Sequence, residues 1–172
     1  YLSHCGISGK FLNFIATPIS KSMSKLFNNL FEEGIYPDIW KLSHVTPIYK
    51  RAGPKCDKTN FRPIALLPTI SKICEAVLHS RLLEHCLQNN IISERQAAYL
   101  KGDSTTNQLL YIVHKIRLAW GSSNILEGLF LDIEGAFDKI WHKGLLAKLN
   151  QISIEGKFLK LFESYLTNRQ QI

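Results

Sequence analysis

The stretch GLFLDIEGAFDKIWH, residues 128–142, constrains this chain more than any other. Its apolar run Leu129-Phe130-Leu131 reads as the end of a strand, and it delivers a carboxylate, Asp132. Gly135 and Ala136 follow, then Phe137 and a second acid, Asp138. An apolar strand ending on an acid is one way to hold a hard cation against phosphate oxygens, because Mg²⁺ takes one or two carboxylates plus substrate phosphates in preference to an all-protein cage. The same acid equally suits the N-cap of a helical turn. Phe137 alone reads as core, and Asp138 as a first-turn helix residue or an outer acid of an ion site. The motif in isolation leaves these alternatives open.

Charge narrows the partner. The formal net charge is +7 and the pI about 9.3, which favours a polyanion, nucleic acid first and an anionic membrane surface second. A hydrophobic content of 45% with 20% charged residues fits a soluble globular class. No apolar run approaches the roughly 20 residues of a membrane helix, so no membrane partner is expected. A length of 172 residues points to one domain, and a chain near this size buries roughly 70% of its unfolded surface. The first residue is Tyr, and the opening twenty residues lack the charged-then-apolar layout of a signal peptide, so a piece of a longer chain is expected. The cysteines, Cys5, Cys56, Cys74 and Cys86, form no C-x-x-C pair and no zinc-like spacing with histidines. Cys74 and Cys86 fall on an apolar helical face, where core packing is expected, and a reducing intracellular compartment follows.

Periodicity predicts an α+β domain. A helix over 17–33 carries Ile19, Met23, Leu26, Phe27, Leu30 and Phe31 at helical spacing, with Pro18 in its first turn and Gly34 at its end. Residues 40–50 read as extended, with Pro47 arguing for an edge position. The polar stretch 52–60, containing Gly53-Pro54, reads as a hairpin loop, and 61–67 as the return strand. Thr69 is the expected N-cap of a helix reaching about residue 89, with Ile70, Ile73, Cys74, Val77, Leu78 and Leu82 as its stripe. A connector over 91–103 leads to a helix over about 105–120, with Leu109, Ile112, Val113 and Ile116 inward and Gly121 after its end. The motif strand comes next, then short helices over 143–151 and 157–166. No repeat, low-complexity tract or dividing linker is evident.

Two further clusters bear on chemistry. Lys41, Lys50, Arg51, Lys55, Lys58 and Arg62 surround the hairpin against one acid, Asp57. Such a finger neutralises nucleotide or nucleic-acid phosphates, or is a solvated hairpin whose lysines discourage edge pairing. Arg62, among apolar neighbours in Phe61-Arg62-Pro63-Ile64, calls for a phosphate or carboxylate partner. The connector ERQAAYLKG, residues 94–102, offers Gln96, Tyr99 and Lys101 to a base or sugar, with Tyr99 stacking. The alternative is a surface loop with its aromatic tucked inward.

The order of these pieces resembles one family. HVTPIYKRAG, NFRPIALLPTISKICEAVLHSRL, SERQAAYLKGDSTTNQLL, FLDIEGAFDKIWH and SYLTNRQ, in that sequence, resemble the reverse transcriptase domain of non-LTR retrotransposons, most of all the jockey-type elements. The resemblance runs from about residue 26 onward. It implies a right-hand polymerase, with the N-terminal helix and fingers over about 1–125 and the start of the palm over about 126–172, in a single partial domain. It implies RNA-templated DNA synthesis from deoxynucleoside triphosphates on a DNA primer, with Mg²⁺ or Mn²⁺, in an intracellular ribonucleoprotein of nucleus or cytoplasm.

Matched position by position, Asp132 falls at the first metal-binding palm aspartate, and the backbone of Ile133 where triphosphate and metal are touched. Phe137 falls at the ring that excludes a 2′-hydroxyl, Arg62 at the triphosphate-holding arginine, and Lys50 at its basic counterpart on the facing strand. Arg51, Gln96, Tyr99 and Lys101 fall beside the template. The chain departs from the family: the aromatic-Ala-Asp-Asp turn that supplies the other metal-binding aspartates is not in it, no tandem Asp-Asp occurs anywhere, and the family's endonuclease domain and thumb are not expected in it. This implies a fragment truncated before the catalytic site is complete and inactive by itself. The rival readings are a non-catalytic RNA-binding remnant, a decayed element copy, and a group II intron maturase-like polymerase, which the D-I-E-G-A-F-D wording fits less well.

Overall fold

A computed structural model of the chain describes residues 6–172; Cys5 lies outside the described residues. The order of elements is α1 (Gly9–Phe14), α2 (Ala16–Glu33), β1 (Leu42–Tyr49), β2 (Phe61–Leu66), α3 (Thr69–Gln88), α4 (Thr105–Gly121), α5 (His142–Gln151), α6 (Gly156–Leu166) and β3 (Gln170–Gln171). Short 3₁₀ turns at Asp38–Trp40 and Lys58–Asn60 flank the hairpin strands. The chain is thus of mixed α and β structure with a small sheet. It divides into two compact units. One is the chain through Leu82 together with Trp141–Ile172, and the other is Leu83–Ile140.

The first unit is built on α2. Its inward residues Phe27, Leu30 and Phe31 are buried and meet Tyr36, Cys74, Leu78 and Leu161, with Trp40, Phe158 and Tyr165 packed around them. Leu161 and Cys74 are fully enclosed, and burying a side chain the size of leucine contributes roughly 1.5–3 kcal/mol. The aromatics meet edge to face, Tyr36 with Tyr165 at 5.0 Å and with Trp40 at 5.6 Å between centroids, the arrangement their quadrupoles prefer. Tyr36 is also tied by hydrogen bonds: its N–H donates to Ser164 Oγ at 3.0 Å and its hydroxyl to Glu75 Oε1 at 3.3 Å. Gly34 closes α2 with φ +68°, and a Cβ there would stand 2.9 Å from the Lys157 carbonyl oxygen. Glycine is therefore required twice, for the left-handed cap and for the approach of α6.

The sheet order is β2-β1-β3. β1 and β2 are antiparallel in the register Ile48↔Arg62 and Pro47↔Pro63. β3 pairs in parallel with the start of β1, with Leu42 opposite Gln170. Pro47 led to the expectation of an edge strand; β1 is instead the middle strand. The ladder explains the tolerance. Lys50 N donates to Asn60 O across the hairpin, whereas Val45 N donates to Ile172 O on the other side. Pro47 shares the parity of Val45, so its missing N–H falls on the β3 side, beyond the reach of that short strand.

Other expectations are also corrected. Thr69 is the first helical residue of α3, and its hydroxyl donates to the Ile7 carbonyl at 2.9 Å instead of capping. Gly121 is the last residue of α4 and not its C′ stop, and the helix is followed by Ser122, whose N–H bonds back to Leu118 O. The stripe of α4 does not point inward: Leu109, Ile112, Val113 and Ile116 are all exposed. The predicted strand before Asp132 is not formed. Residues 125–133 are irregular, and Leu129, Phe130 and Leu131 are 84–85% exposed. A strand exists only through ladder partners, and no described segment pairs with this one. No helix is long and apolar enough to cross a membrane among the described residues.

Candidate functional site

The hairpin presents the first set of candidate residues. Its loop is fixed from within. Asp57 Oδ1 accepts from Thr59 N at 2.9 Å, Asn60 Nδ2 donates to Pro54 O at 2.8 Å, and the Tyr49 hydroxyl donates to the Gly53 carbonyl. The Thr59 N–H holds the Asp57 carboxyl below its ordinary range, with Lys50 adding to the effect. Lys50 is exposed, and its Nζ donates to Thr59 O at 2.7 Å, which anchors the ammonium at the mouth of the loop. Arg51 is exposed in the left-handed conformation, φ +60°. Arg62 is exposed on β2 opposite Ile48 and belongs to no salt bridge among the described residues. The salt-bridge alternative for Arg62 is therefore not realised. Beside these cations Lys55 sits 5.7 Å from the centroid of the Tyr49 ring.

The second set lies in Leu83–Ile140. Asp132 Oδ1 accepts from the Ile133 backbone N–H at 3.0 Å, so these two candidates satisfy one another locally. No helix follows Asp132, which removes the N-cap alternative; residues 134–139 form turns, with Gly135 at φ +63° and its carbonyl accepting from the Asp138 and Lys139 N–H groups. Phe137 is not core but 73% exposed, and its ring meets that of Tyr99 edge to face at 6.3 Å. This contact joins the connector to the Asp132 segment. Tyr99 is 80% exposed with φ +63°, so it is not tucked inward; a non-glycine residue held there costs roughly 1–2 kcal/mol. Gln96 Nε2 donates to Ala98 O at 3.1 Å and Lys101 is exposed. Sequence reasoning passed over Asp103, whose signal was the Asp-Ser-Thr run before α4. It takes the Ser104 N–H at 2.7 Å and Gln108 Nε2 at 2.9 Å, and lines an apolar cavity of about 540 Å³ with Leu100, Leu109 and Ile112.

The donor set tests the implied metal. No three of His, Cys, Asp and Glu converge on one point among the described residues. Asp132 with its neighbours is one carboxylate contact, enough to meet an ion that brings phosphates and water with it, and not enough for a pair of cations about 4 Å apart.

A protein-family model described as reverse transcriptase (RNA-dependent DNA polymerase) matches residues 50–172. The chain is 34% identical over 145 residues to a probable RNA-directed DNA polymerase from transposon X-element of Drosophila melanogaster, an alignment covering 84% of this chain. It is 31% identical over 147 residues, 86% of this chain, to the RNA-directed DNA polymerase from mobile element jockey of the same organism. It is 24% identical over 170 residues, 97% of this chain, to a putative 115 kDa protein in type-1 retrotransposable element R1DM. In each case the alignment covers 16% of the relative's own length. With the family model spanning most of it, the chain belongs to the reverse transcriptase (RNA-dependent DNA polymerase) family.

Proposed function

We propose that this chain forms the fingers and the beginning of the palm of an RNA-directed DNA polymerase from a jockey-like non-LTR mobile element. The reading is carried by one observation: the motif series from Lys50 to Gln170 falls within the span matched to the reverse transcriptase family, residues 50–172. The complete enzyme copies an RNA template into DNA by extending a DNA primer with deoxynucleoside triphosphates, in an intracellular ribonucleoprotein.

The family resemblance gives each residue a role that its chemistry suits. Arg62, without a carboxylate partner among the described residues, offers a planar fork to the triphosphate. Lys50 supplies a second positive charge just past the end of β1, held to the loop by Thr59 O. Arg51 in the first unit and Gln96, Tyr99 and Lys101 in the second are each suited to template contact, where an exposed ring stacks on a base and cations neutralise phosphates. Phe137 fills the volume a 2′-hydroxyl would need and so selects deoxyribose. Asp132 would contribute one carboxylate to Mg²⁺ or Mn²⁺, which stabilises charge on the reacting phosphate oxygens when bound, and the Ile133 backbone lies at the same point.

The 172-residue chain alone does not polymerise in this reading, because a single carboxylate contact cannot position two cations. Primer extension on an RNA template with this chain is expected to give no Mg²⁺-dependent incorporation; incorporation that disappears in Asp132→Asn would contradict it. The exposed cations of the hairpin, Lys50, Arg51 and Arg62, suit a second reading, a non-catalytic RNA-binding remnant or decayed copy, because a basic finger binds RNA without catalysis. The reading frame discriminates: continuation into an aromatic-Ala-Asp-Asp turn supports the enzyme, and a stop codon supports the remnant.

A further inference from the structure

Lys41 is the one buried charged side chain among the described residues, 5% exposed. Lysine is rarely buried unless paired. Its ion-pair partner is Asp38, with Nζ to Oδ1 at 2.8 Å, and that carboxylate is itself 86% exposed. An exposed carboxylate, shared with water, is weak compensation for a desolvated ammonium. Lys41 and Asp38 form one wall of a polar cleft of about 460 Å³, and Asn168, Arg169 and Gln170 form the other.

The second wall brings another cation. The Arg169 guanidinium lies over the Tyr165 ring at 4.6 Å, and its Nη1 donates to the Tyr165 carbonyl at 3.2 Å. Arg169 takes part in no salt bridge among the described residues. A guanidinium has five N–H donors, so the stack fixes its plane and leaves a fork to offer. The walls are tied together by hydrogen bonds: Gln170 N donates to Lys41 O at 3.2 Å, and the Ser43 hydroxyl donates to Gln170 O at 3.2 Å. The cleft is therefore framed where the starts of β1 and β3 pair, and Lys41 and Arg169 line it together with one exposed carboxylate, Asp38.

We propose that this cleft binds a phosphate-type oxyanion, with Lys41 and Arg169 as its cationic jaws and Asp38 as the resident counter-ion that the anion displaces. Asp38 and Arg169 have no part in the polymerase reading, and Lys41 enters it only as one of the basic residues around the hairpin, so the site is tested on its own. The oxyanion is either a backbone phosphate of a nucleic-acid strand or free phosphate, which share the chemistry.

The test is a ¹⁵N nuclear magnetic resonance titration of the full 172-residue chain with inorganic phosphate and, separately, with single-stranded oligouridylate, at constant ionic strength set by chloride. The amides of Leu42, Arg169 and Gln170 should shift and saturate. Asp38→Asn, which removes the competitor, should tighten binding by about two- to fivefold. Arg169→Gln should weaken it by about tenfold or more. Saturation at lower concentration by oligouridylate assigns the site to a strand, and the reverse order assigns it to a free anion; both uphold the oxyanion site. Shifts that never saturate, or an Asp38→Asn chain that binds no tighter, overturn it. Because Asp38 is exposed, that variant keeps the test decisive even where Arg169→Gln disturbs the Tyr165 stack. Binding read on these amides is independent of binding read at the hairpin, so its failure leaves the polymerase reading intact.

Discussion

The two units of this chain are both rich in apolar residues, yet they use them differently. In the first, Leu161 and Cys74 are fully buried and Tyr36 is 1% exposed. In Leu83–Ile140, Leu129, Phe130, Leu131 and Trp120 are all more than 80% exposed. Burial belongs to a pair of surfaces and not to a residue. α2 has α6 and α3 to pack against. The apolar run before Asp132 has no partner strand among the described residues, so its side chains and its backbone both remain open to water. Large exposed apolar patches are an association and aggregation hazard. The Asp132 motif thus follows the segment where the chain supplies the least packing.

The comparison can be broken by mutation. Leu161→Ala should cost about 2–5 kcal/mol, the range for a leucine removed from a closed core, seen as a lower urea midpoint. Leu129→Ala should leave the same midpoint within about 0.5 kcal/mol, as expected of an exposed site. Equal costs would mean that the two regions are packed alike. Gly34→Ala should cost about 1–3 kcal/mol, because its φ of +68° and the 2.9 Å approach of Lys157 O both oppose a Cβ. Ser104→Ala removes the side-chain acceptor for Asn107 N at the start of α4. It should cost about 1 kcal/mol of local helix stability, read as lost far-ultraviolet dichroism with the urea midpoint of the first unit unmoved.

A pH series sharpens the contrast without mutation. Burial, with Glu75 adding to it, pushes the Cys74 thiol from its ordinary 9.0 up to about 11. The folded state therefore holds this proton more tightly than the unfolded state. The associated stability is fully present below about pH 9 and declines as pH rises towards 11. Burial raises the Tyr36 and Tyr165 phenols as well, in the same direction. Alkaline loss of the first unit is the expected result. At pH 8 a thiol reagent should label the exposed Cys56 and spare Cys74 until the chain unfolds. Rapid labelling of Cys74 in the folded chain would show that its enclosure is not maintained.

Legibility in the sequence followed the same divide. α2, α3, α5, α6 and the β1–β2 hairpin were readable because their signals are local: an apolar stripe at helical spacing, Gly34 at a stop, Gly53-Pro54 in a loop. β3 was not, since Gln170-Gln171 has no alternation of its own and is a strand only because Lys41 and Ser43 offer backbone partners. α1 was missed too, although Ser8 accepts from Phe11 N as an ordinary N-cap. The inward stripe of α4 and the strand before Asp132 were over-read. Their apolar spacing was real, but spacing states what a segment could bury and not whether a partner is present. At the candidate site, residue types and their order were legible, whereas the Tyr99–Phe137 contact, between residues far apart in sequence, was not.

In the proposed function, Asp132 and its neighbours meet a metal-bound nucleotide. The most direct measurement is paramagnetic broadening by Mn²⁺ with a deoxynucleoside triphosphate, read on the backbone amides of the intact chain. Selective broadening at Ile133 that depends on the nucleotide and is lost in Asp132→Asn is expected. Broadening spread evenly over the exposed acids, and unchanged in Asp132→Asn, would contradict it.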